Sequence, residues 1–138
     1  MQALETLVQD IYTELQANQT GNVADYIPQL AKVNPDLFGI SVTHIDGNSF
    51  NVGHTENDFC LQSCCKPLNY CLARTLHSHD EVHTHVGYEP SGQSFNSFIL
   101  NRKGLPHNPM INAGAIMVSS LIRADLEPSE RFDTVKHF

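Results

Sequence analysis

The sequence predicts a mixed helix-and-strand (α/β, more closely α+β) domain, and three observations carry that prediction. Apolar residues recur at helical spacing through Leu4, Leu7, Val8, Ile11 and Leu15. Ile40, Val42 and Ile45 mark a strand that runs into Asp46-Gly47, a strong hairpin-turn signal. Two further segments, 63–76 and 112–122, read as helices that follow the hairpin. At 138 residues the chain fits one domain with a modest core.

Each element has its own local reason. The first helix is amphipathic and is expected to stop near Asn18-Gln19-Thr20-Gly21, where glycine ends a helix readily. Residues 23–30 form a short turn or loop around Pro28, and Asn34-Pro35-Asp36 is a turn signal. Residues 38–45 and 49–52 are the two arms of the hairpin. A lone hairpin is marginal in water, so it is expected to pack on a helix or join a larger sheet.

In the second helix Pro67 falls just inside the start, where a missing N–H costs least. That places Ser63 near the N-cap, with free backbone N–H groups close by. Residues 77–108 are rich in Gly, Pro, Ser and Asn and read as a long polar loop anchored by Phe95, Phe98, Ile99 and Leu100. The third helix carries a small-residue face at Ala113-Gly114-Ala115 and Ser119-Ser120, suited to close packing. Glu127-Pro128-Ser129-Glu130 breaks it and caps a short last helix.

Composition excludes several classes of function. A formal net charge of −7 and the lack of a basic stripe argue against nucleic acid and anionic lipid as partners. No apolar run is long enough to cross a membrane, and residues 1–5 resemble neither a signal nor a transit peptide. Cys60, Cys64, Cys65 and Cys71 are crowded into one stretch, unlike a disulfide framework, which points to reduced thiols in a cytosol-like compartment.

The chemistry is concentrated in Ser63-Cys64-Cys65-Lys66, an S-x-x-K tetrad at a helix start. Residues three apart on a helix share a face, so the hydroxyl and the amine are within reach of each other. Serine needs a base to take its proton, and a desolvated lysine can act as one. The tetrad alone is weak evidence, since an N-cap serine and a solvated lysine produce the same letters. His77, His79, His83 and His85 form a second cluster, H-x-H-x-x-x-H-x-H, beside Asp80 and Glu81. No C-x-x-C pair accompanies them, so a solvated loop is preferred over zinc and no metal is expected. Cys64 and Cys65 lie where thiolate is favoured, but as small residues beside the serine they are expected to be buried.

Four blocks, in order, make the chain recognisable. Residues 21–31 (GNVADYIPQLA) resemble a G-x-V-A-x-Y-I-P-x-L-A block, and 59–66 (FCLQSCCK) an F-x-x-Q-S-x-x-K segment. Residues 89–97 (EPSGQSFNS) resemble E-P-S-G-x-x-F-N, and 108–116 (NPMINAGAI) N-P-x-x-N-A-G-A. Together they identify a resemblance to the serine-dependent glutaminases, which hydrolyse L-glutamine to L-glutamate and ammonia on a serine β-lactamase/penicillin-binding-protein-like fold.

The resemblance implies roles residue by residue. Ser63 is the expected nucleophile on the side-chain amide carbon, and Lys66 the base that accepts its proton. The Ser63 N–H is half of an oxyanion hole, a fitting role for an N–H at a helix start. Asn112 binds substrate, and it also suits the N-cap of the third helix. Tyr26 lies beside the nucleophile, holding substrate or assisting proton transfer, though by itself it reads as a core or turn tyrosine. Glu89-Pro90-Ser91-Gly92 shapes a loop. No cofactor is implied. The partners implied are L-glutamine and further copies of the chain, as a dimer or tetramer. The compartment is the cytoplasm, or the mitochondrial matrix if a transit peptide has been lost.

In that family the catalytic domain continues well past the position of Phe138, with further substrate contacts, the other oxyanion donor and a K-S-G strand. Residues 1–138 are therefore expected to be the N-terminal part of a catalytic domain, incomplete at the C-terminus, with a sheet edge and an apolar face uncovered. The competing expectation is a truncated, non-catalytic homologue that serves as an assembly module. A penicillin-interactive acyltransferase ranks below both, because no S-x-N motif has a supporting context.

Overall fold

A computed structural model describes residues 2–138, and the chain divides into two compact units, 1–60 and 61–138. The first unit contains helix α1 (Gln2–Leu15) and a hairpin of β1 (Gly39–Thr43) and β2 (Ser49–Gly53). The strands pair antiparallel, with Ile40 opposite Val52 and Val42 opposite Phe50 on one face. Ser41 donates to Asn51 Oδ1 at 2.6 Å, and the Thr43 and Ser49 hydroxyls meet at 2.8 Å, on the other face. Helix α1 packs on this hairpin. Tyr12 stacks on Phe38 with ring centroids 5.3 Å apart, and Gly53 has no Cβ to obstruct the Tyr12 ring.

The apolar hairpin face is only half covered: Ile40, Val42, Phe50 and Val52 are intermediate in burial, and Val8 is the one fully buried apolar side chain described in this unit. The expected turn is corrected in one respect. The last strand pair is Thr43–Ser49, so residues 44–48 form a wider loop, closed by His44 N–H to the Asn48 carbonyl at 2.8 Å. Ile45 belongs to that loop rather than to the strand and is 99 % exposed. Gly47 takes φ +87°, as a turn of this kind demands.

The second unit is helical. Its elements are α2 (Cys65–Leu76), α3 (His79–His83), α4 (Asn112–Leu121) and α5 (Pro128–Lys136). Leu72 and Ala73 of α2 pack with Val118 and Ile122 at the end of α4, and Val82 and Val86 complete the cluster. Fully burying a valine or isoleucine contributes about 1.5–3 kcal/mol. Val82 and Val86 correct the polar-loop expectation for residues 77–108: the stretch opens with α3, capped by the Ser78 hydroxyl accepting from Glu81 N–H, and inserts two valines into the core. Two isolated apolar residues in a polar run give no periodicity to read.

The last helix begins as expected, with Glu127 at the N-cap, Pro128 at the first turn and a reciprocal capping box to Glu130. Arg131 from that helix donates to the Ser119 carbonyl at 2.6 Å and the Ile122 carbonyl at 2.9 Å. It thereby adds a second donor to the Ser119 carbonyl, which also accepts from the Ile122 N–H, and supplies one to the Ile122 carbonyl beyond the end of α4.

Candidate active site

Ser63 occupies the middle of a 3-10 turn, Gln62–Cys64, which leads directly into α2. Ser63 is therefore near the N-cap of α2, as expected: Cys64, the next residue, is the N-cap, and the Ser63 side chain caps nothing. The Ser63 hydroxyl is exposed and makes no hydrogen bond to another described residue. Its backbone N–H likewise has no described acceptor, as expected at the start of a helix. Gln62, immediately before it, sits at φ +48°, a left-handed conformation that costs a non-glycine residue about 1–2 kcal/mol. Such strain persists only where the surroundings over-determine it and clusters at functional sites.

One turn on, Lys66 is held firmly. Its Nζ donates to Asn112 Oδ1 at 2.7 Å and to the Met110 carbonyl at 3.0 Å. The Phe95 ring lies 6.0 Å from the same nitrogen, at the outer reach of a cation–π contact. The structure thus brings together Lys66 and Asn112, from segments 46 residues apart. Ser63 and Lys66 are three residues apart across the junction of the 3-10 turn and α2, and no hydrogen bond joins them. Tyr26 belongs to the other unit, on a bend, and is 75 % exposed.

The segment that carries Asn112 is built by backbone bonds. Asn112 is the first residue of α4, and Ile111 takes the N-cap position that the sequence suggested for Asn112. The Asn112 N–H goes to the Phe95 carbonyl at 2.9 Å, which leaves its side chain free for Lys66. Gly114 is required here, because a Cβ would overlap the Asn108 carbonyl. Two participants were missed by sequence reasoning: the Met110 carbonyl and the Phe95 ring. A main-chain carbonyl leaves no mark in the letters. Phe95 lies inside the E-P-S-G-x-x-F-N block, which was a usable signal.

The histidine cluster has local partners. His83 Nδ1 faces the Val86 carbonyl and Nε2 the Tyr70 hydroxyl, both at 2.9 Å. A carbonyl only accepts, so Nδ1 carries the proton and Nε2 accepts from the tyrosine. His77 faces the Leu121 carbonyl with Nε2 and the Glu81 carboxylate with Nδ1, both at 2.9 Å. The Leu121 bond first, then Glu81, raises its pKa above the usual 6.5. Among the described residues, no group of three His, Cys, Asp or Glu side chains converges on a common point. The burial expected of the two cysteines is corrected: Cys64, in the 3-10 turn, is exposed, and Cys65, at the start of α2, is intermediate.

Beside this site, the same unit has an apolar groove of about 820 Å³. Its walls include Leu61, Leu68, Ile122, Phe132, Val135 and Phe138.

Comparison with known proteins gives a consistent result. The family model described as Glutaminase matches residues 21–138. The mouse protein named "Glutaminase liver isoform, mitochondrial" is 50 % identical over 131 residues, covering 95 % of this chain and 22 % of its own length. The glutaminase of the cyanobacterium Trichormus variabilis is 47 % identical over 121 residues, covering 87 % of this chain and 36 % of its own. The solved structure of a probable glutaminase, ybaS, superposes with a TM-score of 0.87 at 33 % identity, over 97 % of this chain and 44 % of that one. Mglu, solved in its tris and glutamate form, gives a TM-score of 0.83 at 34 % identity, over 95 % of this chain and 30 % of that one. The α+β fold shared with these structures is the β-lactamase-like one. The chain spans between about a fifth and two fifths of the length of these relatives.

Proposed function

Because the chain belongs to the glutaminase family, we propose that residues 1–138 are the N-terminal part of a catalytic domain that hydrolyses L-glutamine to L-glutamate and ammonia. The single observation that carries the mechanism is the grip on Lys66. A neutral amine has two N–H bonds and one lone pair. Asn112 Oδ1 and the Met110 carbonyl match the two N–H bonds. The lone pair is then left for a proton from Ser63, on the preceding turn.

In this reading Ser63 Oγ attacks the side-chain amide carbon of glutamine as its proton passes to Lys66 Nζ. The negative charge that develops on the amide oxygen is met by the free Ser63 N–H, aided by the positive end of the helix dipole. Collapse breaks the C–N bond, and Lys66 returns the proton to the departing nitrogen, so that ammonia leaves and a γ-glutamyl ester stays on Ser63. Water then attacks the ester, giving its proton to Lys66, and glutamate departs as Ser63 regains a proton. Asn112 orients Lys66 and lends its amide to the substrate, and Tyr26 supplies a hydroxyl for substrate or for proton transfer. The mouse relative's name includes the word mitochondrial, which supports a mitochondrial location as the alternative to a cytoplasmic one. Self-assembly into a dimer or tetramer is part of the same proposal.

A second reading, a non-catalytic module that assembles with glutaminase polypeptide, is favoured by the apolar groove, where Phe132 and Phe138 are 67 % and 59 % exposed. Ammonia release from L-glutamine, with Ser63→Ala alongside, tests the first reading. Turnover abolished by the substitution supports it. Turnover that survives Ser63→Ala in contaminant-free protein rejects Ser63 as nucleophile. A folded chain without turnover that co-purifies with a longer glutaminase favours the assembly reading.

A further inference from the structure

Asn108 makes no contact with Lys66, yet it organises the backbone that does. Its Oδ1 accepts from the Met110 N–H at 3.0 Å and the Ile111 N–H at 3.2 Å. Its Nδ2 donates to the Glu89 carbonyl at 2.9 Å. Its own carbonyl is seated against Gly114, where no Cβ would fit. Asn108 is half-buried, and its bond from the Ile111 N–H is the part-buried one of the three. The peptide between Met110 and Ile111 is therefore fixed from one side by a single amide. The carbonyl of that same peptide is the one that accepts from Lys66 Nζ.

We propose that Asn108 is a positioning residue for the Lys66 base. By holding the Met110 and Ile111 N–H groups it aims the Met110 carbonyl at Nζ, and through Glu89 it ties the loop that carries Phe95 to the same point. The loop is then fastened at both stems to the start of α4, through Glu89 to Asn108 and through Phe95 to Asn112. Without the Oδ1 acceptor, the peptide is free to rotate and Lys66 loses one of its two partners. A base displaced by even a fraction of an ångström loses much of its rate. The inference rests on the reading of Lys66 as the base for Ser63.

The test compares wild type, Asn108→Ala and Asn108→Asp. Asp keeps an oxygen for the two N–H groups and replaces the donor to Glu89 with a second acceptor oxygen. Labelling of Ser63 by a diazoketone analogue of glutamine, read by mass spectrometry, reports base strength and position. Asn108→Ala is expected to lower the maximal labelling rate about tenfold or more with little change in the half-saturating concentration. Asn108→Asp is expected to stay within about threefold of wild type. Nuclear magnetic resonance of the Lys66 side chain, assigned with Lys66→Met, is expected to move in Asn108→Ala and much less in Asn108→Asp. Wild-type labelling rates in Asn108→Ala, or equal losses in Ala and Asp, overturn the proposal. If wild-type Ser63 is not labelled at all, the nucleophile reading fails, and the Lys66 resonances judge Asn108 independently: unchanged resonances in a folded Asn108→Ala overturn it.

Discussion

Lys66 Nζ lies 2.7 Å from Asn112 Oδ1, and that bond joins the N-terminal ends of α2 and α4. At the opposite end of the pair, His77 follows α2 and bonds the carbonyl of Leu121, the last residue of α4. The two helices are thus tied at both ends, with Leu72, Ala73, Val118 and Ile122 packed near the C-terminal tie. The polar tie at one end is proposed to do chemistry, and the tie at the other supports the pair.

Lys66→Met removes the proposed base and leaves the Asn112 amide unpaired. Glutamine turnover, or Ser63 labelling where turnover needs a longer chain, is expected to fall by about 10²–10⁴. Asn112→Ala leaves the Lys66 Nζ with one partner, and a smaller loss of about 10–100-fold is expected. A Lys66→Met variant that labels at the wild-type rate would falsify the base assignment.

Gly114→Ala forces a methyl group into the Asn108 carbonyl. Backbone cannot give way as a flexible side chain can, so overpacking is expected to cost about 1–3 kcal/mol of stability. Chemical denaturation measures this directly. Because the displaced backbone leads to Met110 and Asn112, labelling of Ser63 is expected to slow as well.

His77 predicts a pH dependence. Both ring nitrogens face acceptors, Leu121 O from α4 and Glu81 from α3, an arrangement satisfied fully only by the doubly protonated ring. Arg74 of α2 bonds the His77 carbonyl at 3.3 Å rather than the ring. The folded pKa is raised above the usual 6.5. The stabilisation from protonation is therefore fully present below about pH 6.5 and is lost as pH rises through the raised folded value. Melting temperatures of wild type and His77→Gln across this range are expected to converge on the alkaline side. Parallel curves would mean that the ring titrates alike in both states.

Arg131→Met keeps the aliphatic stem and removes the donors to the Ser119 and Ile122 carbonyls. Losing hydrogen bonds from a charged donor at a half-buried helix end is expected to cost about 1.5–3 kcal/mol. Hydrogen exchange should show fraying confined to the last turn of α4 and to α5, with the amides around Asn112 still protected.

Much of this was legible in the letters. Leu4 to Leu15 announced α1 through its period, Asp46-Gly47 announced a turn, and Glu127-Pro128 announced the start of α5, each because the cause is local. Four short blocks were enough to reach the family. Hidden were the wide loop that expels Ile45, the burial of Val82 and Val86, and the 3-10 turn that holds Ser63. Each of these is set by neighbours distant in sequence or by a backbone angle.

The sequence by itself determined which helices and hairpin form, which family the chain belongs to and which side chains are candidates, because periodicity, turn chemistry and motif order are written residue by residue. Tertiary structure decided what touches Lys66. Packing of α4 against α2 brings Asn112 and the Met110 carbonyl to a lysine more than forty residues earlier, and Gly114 leaves room for the Asn108 carbonyl in the segment that leads into α4. A hydrogen bond to a main-chain oxygen depends on where the backbone turns, and only the folded chain determines that.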